Sequence, residues 1–369
     1  MQNKLGVVVI GVNGAVSSTL IAGARLMAAG HVPRLGMLTE PGENPAPGEQ
    51  VTDFLSFPKV EELVFGGWDL AFKNVYEAAR HHNVLPAAQL DKIKGELEAM
   101  KPWPAVFSGE YAENCKGENV VTAKDFRGEL DHIIGCIEKF KKDHGLDRVV
   151  MVNLASTEKW MELADVHKTL SAFERGLDAN DPNISPAMRY FYVANKLGCP
   201  YVNFAPSLTN VPALEEMANE LGNPYAGMDG KTGQTLLKTA LAAMFKVRNI
   251  KVEGWYSVNF LGNNDGLVLD SPSSNKTKVL SKAAVLAEQI NGLLFELVQR
   301  STKAIGEPPR PYFAVAAIGY GTDQGGKPVV GSQFRGELAG HDWVWTSDLA
   351  QHPLRIETRQ ADDTGARQY

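Results

Sequence analysis

The chain has 369 residues, 44% hydrophobic and 22% charged, which is long enough for two domains and ordinary for a globular protein. Its net charge of −6 argues against a nucleic-acid binder, which needs a basic face, so an anionic ligand must be met by local positive groups. Cys115, Cys136 and Cys199 form neither a CxxC nor a Cys/His cluster, and no apolar run reaches the ~18 residues of a membrane span, so no disulfide framework, zinc or other metal site or membrane partner is expected.

The N-terminus runs into a strand-forming segment without a charged n-region and cleavage site, so a soluble, cytoplasmic protein is expected. Leu5–Ile10 (LGVVVI) is a short β-branched run and predicts a buried parallel strand. It ends in Gly11, Val12, Asn13, Gly14, Ala15 and a small polar run to Thr19, with a helical pattern over 19–29. Strand, glycine turn and helix is the arrangement that sets a pyrophosphate on backbone N–H groups. Asn13 and Ser17 stand where further glycines would complete a GxGxxG, so the residues alone leave a dinucleotide site and a plain βα turn both open.

A second strand is expected over 34–38, followed by Glu40, which reads as an exposed loop carboxylate before a ribose ligand. Residues 41–56, rich in Pro, Gly and acids, predict a loop. In VFGGWD (64–69) two glycines would let a ligand approach the backbone, with Asp69 accepting from ribose or adenine groups; a turn with a core Trp68 is the competing reading. Residues 71–100 read as helices, and His81-His82 as a solvated helix end, not a metal site. After Pro102-Trp103-Pro104 an amphipathic helix over 123–143 leads to a strand over 148–152. Its end carries Asn153, Leu154, Ala155, Ser156, Thr157 and Glu158, the place where doubly wound sheets hold ligands. Another strand, 200–204, ends in Ala205-Pro206-Ser207 before a helix over 213–221. Alternating strands and helices predict an α/β fold, a Rossmann-like doubly wound parallel sheet.

Residues 226–282 concentrate polar groups. Asp229, Lys231 and Thr232 open a helix; Gly262-Asn263-Asn264-Asp265-Gly266 follows a strand; Lys276, Lys278 and Lys282 form a cationic cluster. Lysines of this kind suit a phosphorylated substrate and proton transfer. On a helix Lys278 and Lys282, four apart, share a face.

These motifs resemble the myo-inositol-1-phosphate synthase family, also called inositol-3-phosphate synthase. The family's glycine loop GWGGNNGST is similar to residues 11–19, its GWD to Gly67-Trp68-Asp69, and its TANTE to residues 154–158. NGSPQNT corresponds to residues 203–209, with Phe204 and Ala205 in place of Gly-Ser, and GDDxKSGQT to residues 227–235. LGNNDG is matched letter for letter at 261–266, and the RSKxxSK element resembles residues 276–282. The resemblance runs collinearly over about residues 5–282.

The resemblance implies conversion of D-glucose 6-phosphate to 1D-myo-inositol 3-phosphate, with NAD⁺ reduced and reoxidised within one turnover. C5 is oxidised to a ketone, C6 loses a proton, the enolate closes on the C1 aldehyde, and the product is reduced. It implies cofactor contacts at Gly11, Val12, Asn13, Gly14, Ala15, Asp69, Leu154, Ala155, Ser156, Thr157, Phe204, Ala205, Asp229, Thr232, Asn263, Asn264 and Asp265. Lys278 would transfer protons, Lys282 would bind or polarise substrate, and Lys238 occupies a further family lysine position. A homo-oligomer, a tetramer in the family, is implied. The residues divide into an NAD-binding domain (1–235), an α+β catalytic and oligomerisation domain (236–335) and a divergent tail (336–369), read as returning to the first domain. Past about residue 285 the family's YVxxxGDxK and acid-Ser-x-x-AAP elements are not found; a divergent end, a truncation or a frame change would each account for this. An NAD-binding relative without activity and a simple NAD-dependent sugar-phosphate dehydrogenase are the alternatives.

Overall fold

The run Leu5–Ile10 forms β1, a central strand of a parallel sheet in the computed structural model. The structure describes residues 4–34, 37–40, 48–227, 229–230, 234–248, 252–261, 267–289, 298–303, 314–321, 340–346 and 354–358. Successive side chains of β1 enter opposite layers, as the two-residue period of a strand requires. Val8 packs into a core with Ile133, Ile137 and Phe191, whereas Val9 packs with Ile21, Leu26 and Leu97 on the other face. The first core is covered by α5 (Phe126–His144), α6 (Leu170–Ala179), α7 (Pro186–Lys196) and α8 (Pro212–Leu221). The second is covered by α1 (Ala15–Ala28), α2 (Val75–His82), α3 (Ala87–Leu90) and α4 (Lys94–Ala99). Local chemistry starts these helices: Asn74, Asp125, Thr169 and Ser185 each cap a helix by accepting a backbone N–H.

The sheet runs β2 (Leu63–Trp68), β1, β3 (Arg148–Asn153), β4 (Tyr201–Asn203), β5 (Tyr225–Gly227), all parallel. Ile10 pairs with Trp68 and Asn153, Asn153 with Asn203, and Asn203 with Gly227. Five strands therefore end in one row, and the loops that follow open on a single edge.

The strand expected over 34–38 is not present at the described positions Arg34, Met37 and Leu38; β2 takes the place beside β1. Gly66 and Gly67 lie inside β2 and serve packing, not ligand approach. A Cβ on Gly67 would stand 2.0 Å from the Val9 carbonyl oxygen, and one on Gly66 3.0 Å from the Phe140 ring. Glu40 is not an exposed loop carboxylate: it pairs with Arg34 and accepts from Val60 N at 2.6 Å.

The later residues carry α9 (Gln234–Val247), α10 (Pro272–Gln289) and an antiparallel sheet. Its strands are β6 (Val252–Leu261), β7 (Val298–Lys303), β8 (Ala314–Gly321), β9 (Gly340–Thr346) and β10 (Leu354–Thr358), in the order β10-β9-β6-β8-β7. Within the tail, β9 pairs with β6 and β10 with β9, so the described tail strands join the second sheet and not the first. Among the described residues no helix is long and apolar enough to cross a membrane.

Candidate functional site

A cleft of about 660 Å³ opens at the row of strand ends. Its floor is the glycine loop. Gly11 N and Val12 N both donate to Trp68 O, at 2.9 and 3.1 Å, which ties the loop to the end of β2. Gly11 takes φ +85°, and a Cβ there would lie 3.0 Å from Leu154 O and from the Ala155 backbone, so only glycine lets the loops after β1 and β3 meet. The first turn of α1 follows Gly14 with no side-chain cap, leaving N–H groups at a helix start available to an anion.

Asn13 is held from several sides. Its N–H donates to Asp69 Oδ2 at 2.8 Å, its Nδ2 to Ala71 O at 2.7 Å, and its carbonyl lies 2.8 Å from His82 Nε2. Its Oδ1 is buried without a partner. Asp69 also accepts from Leu70 N and Ala71 N. Burial pushes its carboxyl above the usual range, and these three N–H donors pull it back. Trp68 itself is fully buried against Trp103 and Tyr190, the core tryptophan of the competing reading, although it ends a strand and not a turn, and Asp69 after it lines the cleft.

The middle wall is built by two asparagines at strand ends. Asn153 Nδ2 donates to Asn203 Oδ1 at 3.0 Å, and Asn203 Nδ2 donates to Ser207 O and Thr209 Oγ1, both at 2.8 Å. Asn153 Oδ1 accepts from Ala155 N at 3.1 Å, which shapes the segment 154–157. Glu158 closes this wall, accepting from Ala187 N at 2.9 Å while its own N–H donates to Ser207 Oγ at 3.0 Å. Burial raises its carboxyl above the ordinary range, against the opposing pull of Ser185, Ala187 N and Arg189.

On the far side Gly230 N donates to Phe204 O at 2.9 Å, and a Cβ on Gly230 would strike the Phe204 ring at 1.9 Å. Asp229, just before it, takes φ +111°, a strained conformation for a residue with a side chain. Asp229 Oδ1 accepts from Lys278 Nζ at 3.4 Å, with both side chains largely shielded. Lys276 leaves the cluster read from sequence and sits 5.1 Å above the Trp160 ring.

Of the residues singled out by sequence, Gly11, Asn13, Gly14, Ala15, Asp69, Leu154, Ala155, Ser156, Thr157, Phe204, Ala205, Asp229 and Lys278 line this one cleft. Val12 does not; its side chain is buried in the core with Val9 and Ile21. Lys238 lies on α9, and Lys282 one turn beyond Lys278 on α10; their side chains are outside the described residues, as are Thr232, Asn263, Asn264 and Asp265 altogether. Sequence reading missed the segment 107–116, which walls the cleft through Phe107, Tyr111 and Asn114. Asn114 Nδ2 donates to Leu267 O at 2.9 Å and Ser271 Oγ to Glu113 at 3.3 Å, so this strap joins the first sheet's loops to the start of α10. It also missed His82, which is half-buried on the cleft and not a solvated helix end.

These features suit a dinucleotide: a close-packed glycine loop, an uncapped helix start, and a buried Asn13 oxygen in want of a donor. The NAD-binding family model described as myo-inositol-1-phosphate synthase matches residues 5–304, about twenty residues past the last motif recognised in the sequence. The chain is 39% identical over 288 residues to inositol-3-phosphate synthase 1 of Bacteroides thetaiotaomicron, covering 77% of this chain and 67% of that protein. It is 29% identical over 315 residues to inositol-3-phosphate synthase isozyme 1 of Arabidopsis thaliana, covering 79% of this chain and 62% of that one. The chain thus spans roughly two thirds or less of these relatives' lengths. In fold it is similar to an inositol-3-phosphate synthase from Caenorhabditis elegans, with TM-score 0.74 and 21% identity over 97% of this chain and 71% of that one. The match over residues 5–304, together with the identity to the Bacteroides protein, shows that the chain belongs to the myo-inositol-1-phosphate synthase family.

Proposed function

We propose that this chain is an inositol-3-phosphate synthase that cyclises D-glucose 6-phosphate to 1D-myo-inositol 3-phosphate with NAD as a recycled cofactor. The observation that carries the reading is the Lys278–Asp229 pair, a cation held at 3.4 Å by a carboxylate inside the cleft that also contains the glycine loop. A bound NAD⁺ would supply hydride chemistry, accepting a hydride from the sugar before ring closure and donating it back afterwards. The loop residues Gly11, Asn13, Gly14 and Ala15 would receive its pyrophosphate on backbone N–H groups, and Asp69 the adenosine hydroxyls. Residues 154–157, Phe204, Ala205 and Asp229 would hold the nicotinamide half.

Enolisation builds negative charge on an oxygen, and an ammonium beside that oxygen stabilises it in a water-poor site. Lys278 Nζ, which lines the cleft, is suited to this, and its hydrogen bond to Asp229 Oδ1 keeps it in place. On the resemblance Lys282 is assigned to bind or polarise the substrate, and Lys238 occupies a further family lysine position. That resemblance also supports a homotetramer.

The test is incubation of the purified protein with glucose 6-phosphate and substoichiometric NAD⁺. Inositol phosphate in excess of the cofactor, with almost no NADH released, is expected. Stoichiometric NADH without inositol phosphate, or thermal stabilisation by NAD⁺ without turnover, would overturn the reading.

A further inference from the structure

His82 belongs to none of the family motifs, yet it lines the cleft. It is the last residue of α2, and Asn83, at φ +53°, ends the helix there. Its Nε2 lies 2.8 Å from the Asn13 carbonyl oxygen, 69 residues away. A carbonyl only accepts, so Nε2 carries the hydrogen in this contact. The imidazole is braced by the rings of Phe72 and His81, with centroids at 5.6 and 5.3 Å. Phe72 holds φ +64°, which an aromatic residue rarely adopts, and its carbonyl faces Asn13 Nδ2 beside that of Ala71. Asp69, Ala71 and His82 thus fix Asn13 at its N–H, its side-chain amide and its carbonyl, and Oδ1 remains as the buried, unpartnered atom.

We propose that His82 is a positioning residue for the dinucleotide: by donating from Nε2 to the Asn13 carbonyl it holds the glycine loop in the shape that offers Asn13 Oδ1 to a hydroxyl or amide donor. The inference rests on reading the cleft as a dinucleotide site. Burial, together with His81, keeps the imidazole below its usual titration range, so the neutral ring with its hydrogen on Nε2 is the form in place near neutral pH. Without this donor the Asn13 carbonyl loses its described side-chain partner, while the anchors at Trp68 O, Asp69 and Ala71 O remain.

The experiment compares the full chain with His82→Ala and His82→Gln, since a glutamine amide nitrogen can donate from nearly the same place. NAD⁺ affinity is titrated, and amide hydrogen exchange of residues 11–16 is followed in the ligand-free proteins. His82→Ala should weaken NAD⁺ binding about three- to tenfold and speed exchange over 11–16, and His82→Gln should restore most of both. KM for the sugar phosphate should not move. Unchanged NAD⁺ affinity in His82→Ala, or a His82→Gln variant as weak as the alanine, would overturn the proposal. A wild-type chain that fails to bind NAD⁺ would instead sink the dinucleotide reading, and the exchange comparison would still decide whether His82 holds the loop.

Discussion

Asp229 Oδ1 stands 3.4 Å from Lys278 Nζ, a contact between the loop after β5 and the helix α10 across 49 residues of chain. It brings the strained end of the parallel sheet together with the first of the family-type lysines on α10. Substituting Lys278 removes the cation without touching the glycine loop. Lys278→Ala should lower turnover by about 10²–10³-fold while NAD⁺ affinity stays within a few-fold of wild type. Steady-state kinetics and an NAD⁺ titration check this together.

The backbone at Asp229 separates stability from function. A residue with a side chain at φ +111° carries strain of about 1–3 kcal/mol, and glycine adopts that conformation freely. Asp229→Gly should therefore leave the melting temperature unchanged or raised, yet lower turnover through loss of the Lys278 partner. A fall in both would show that the carboxylate, not the backbone, dominates stability at this position.

The two glycines of β2 differ in what surrounds them. A Cβ on Gly67 meets the backbone oxygen of Val9 at 2.0 Å, whereas one on Gly66 meets the side chains of Phe140 and Trp103 at 3.0 and 3.1 Å, which can shift. Gly67→Ala should cost at least about 1–3 kcal/mol in urea denaturation and exceed the cost of Gly66→Ala.

Glu158 gives the pH dependence a sign. Burial lifts its folded-state pKa above the ordinary value of 4.5, so the folded chain binds that proton more tightly than the unfolded one. Its stabilising contribution is complete below about 4.5 and is lost as pH rises through the raised folded value. Glu158→Gln keeps an oxygen for Ala187 N and removes the buried charge. The variant's melting temperature should exceed wild type most at pH 7–8, with the gap closing toward about pH 4.5. A gap that widens on acidification would contradict this.

Much of the site was legible because strand ends announce themselves. The runs at 5–10 and 148–153 stop at small polar residues, and the loops that follow, with Asp69 after β2, do line one cleft. The strap 107–116 was not legible: it has no period and reaches the site through single contacts such as Asn114 to Leu267. His82 was hidden for a related reason, since a polar helix end looks solvated until the Asn13 carbonyl is placed beside it. The strand expected over 34–38 failed because local β propensity does not decide which segment pairs with β1. Likewise, weakly periodic residues 340–346 become strand through pairing with β6, which sequence pattern does not carry.

The central claim is that one cleft takes a hydride from the sugar and gives it back to the same carbon. Glucose 6-phosphate deuterated at C5, turned over in ordinary water with catalytic unlabelled NAD⁺, tests it directly by mass spectrometry of the product. The account predicts inositol phosphate that retains the deuterium at the carbon derived from C5. Product without deuterium, or deuterium accumulating in NADH while no inositol phosphate forms, would contradict it.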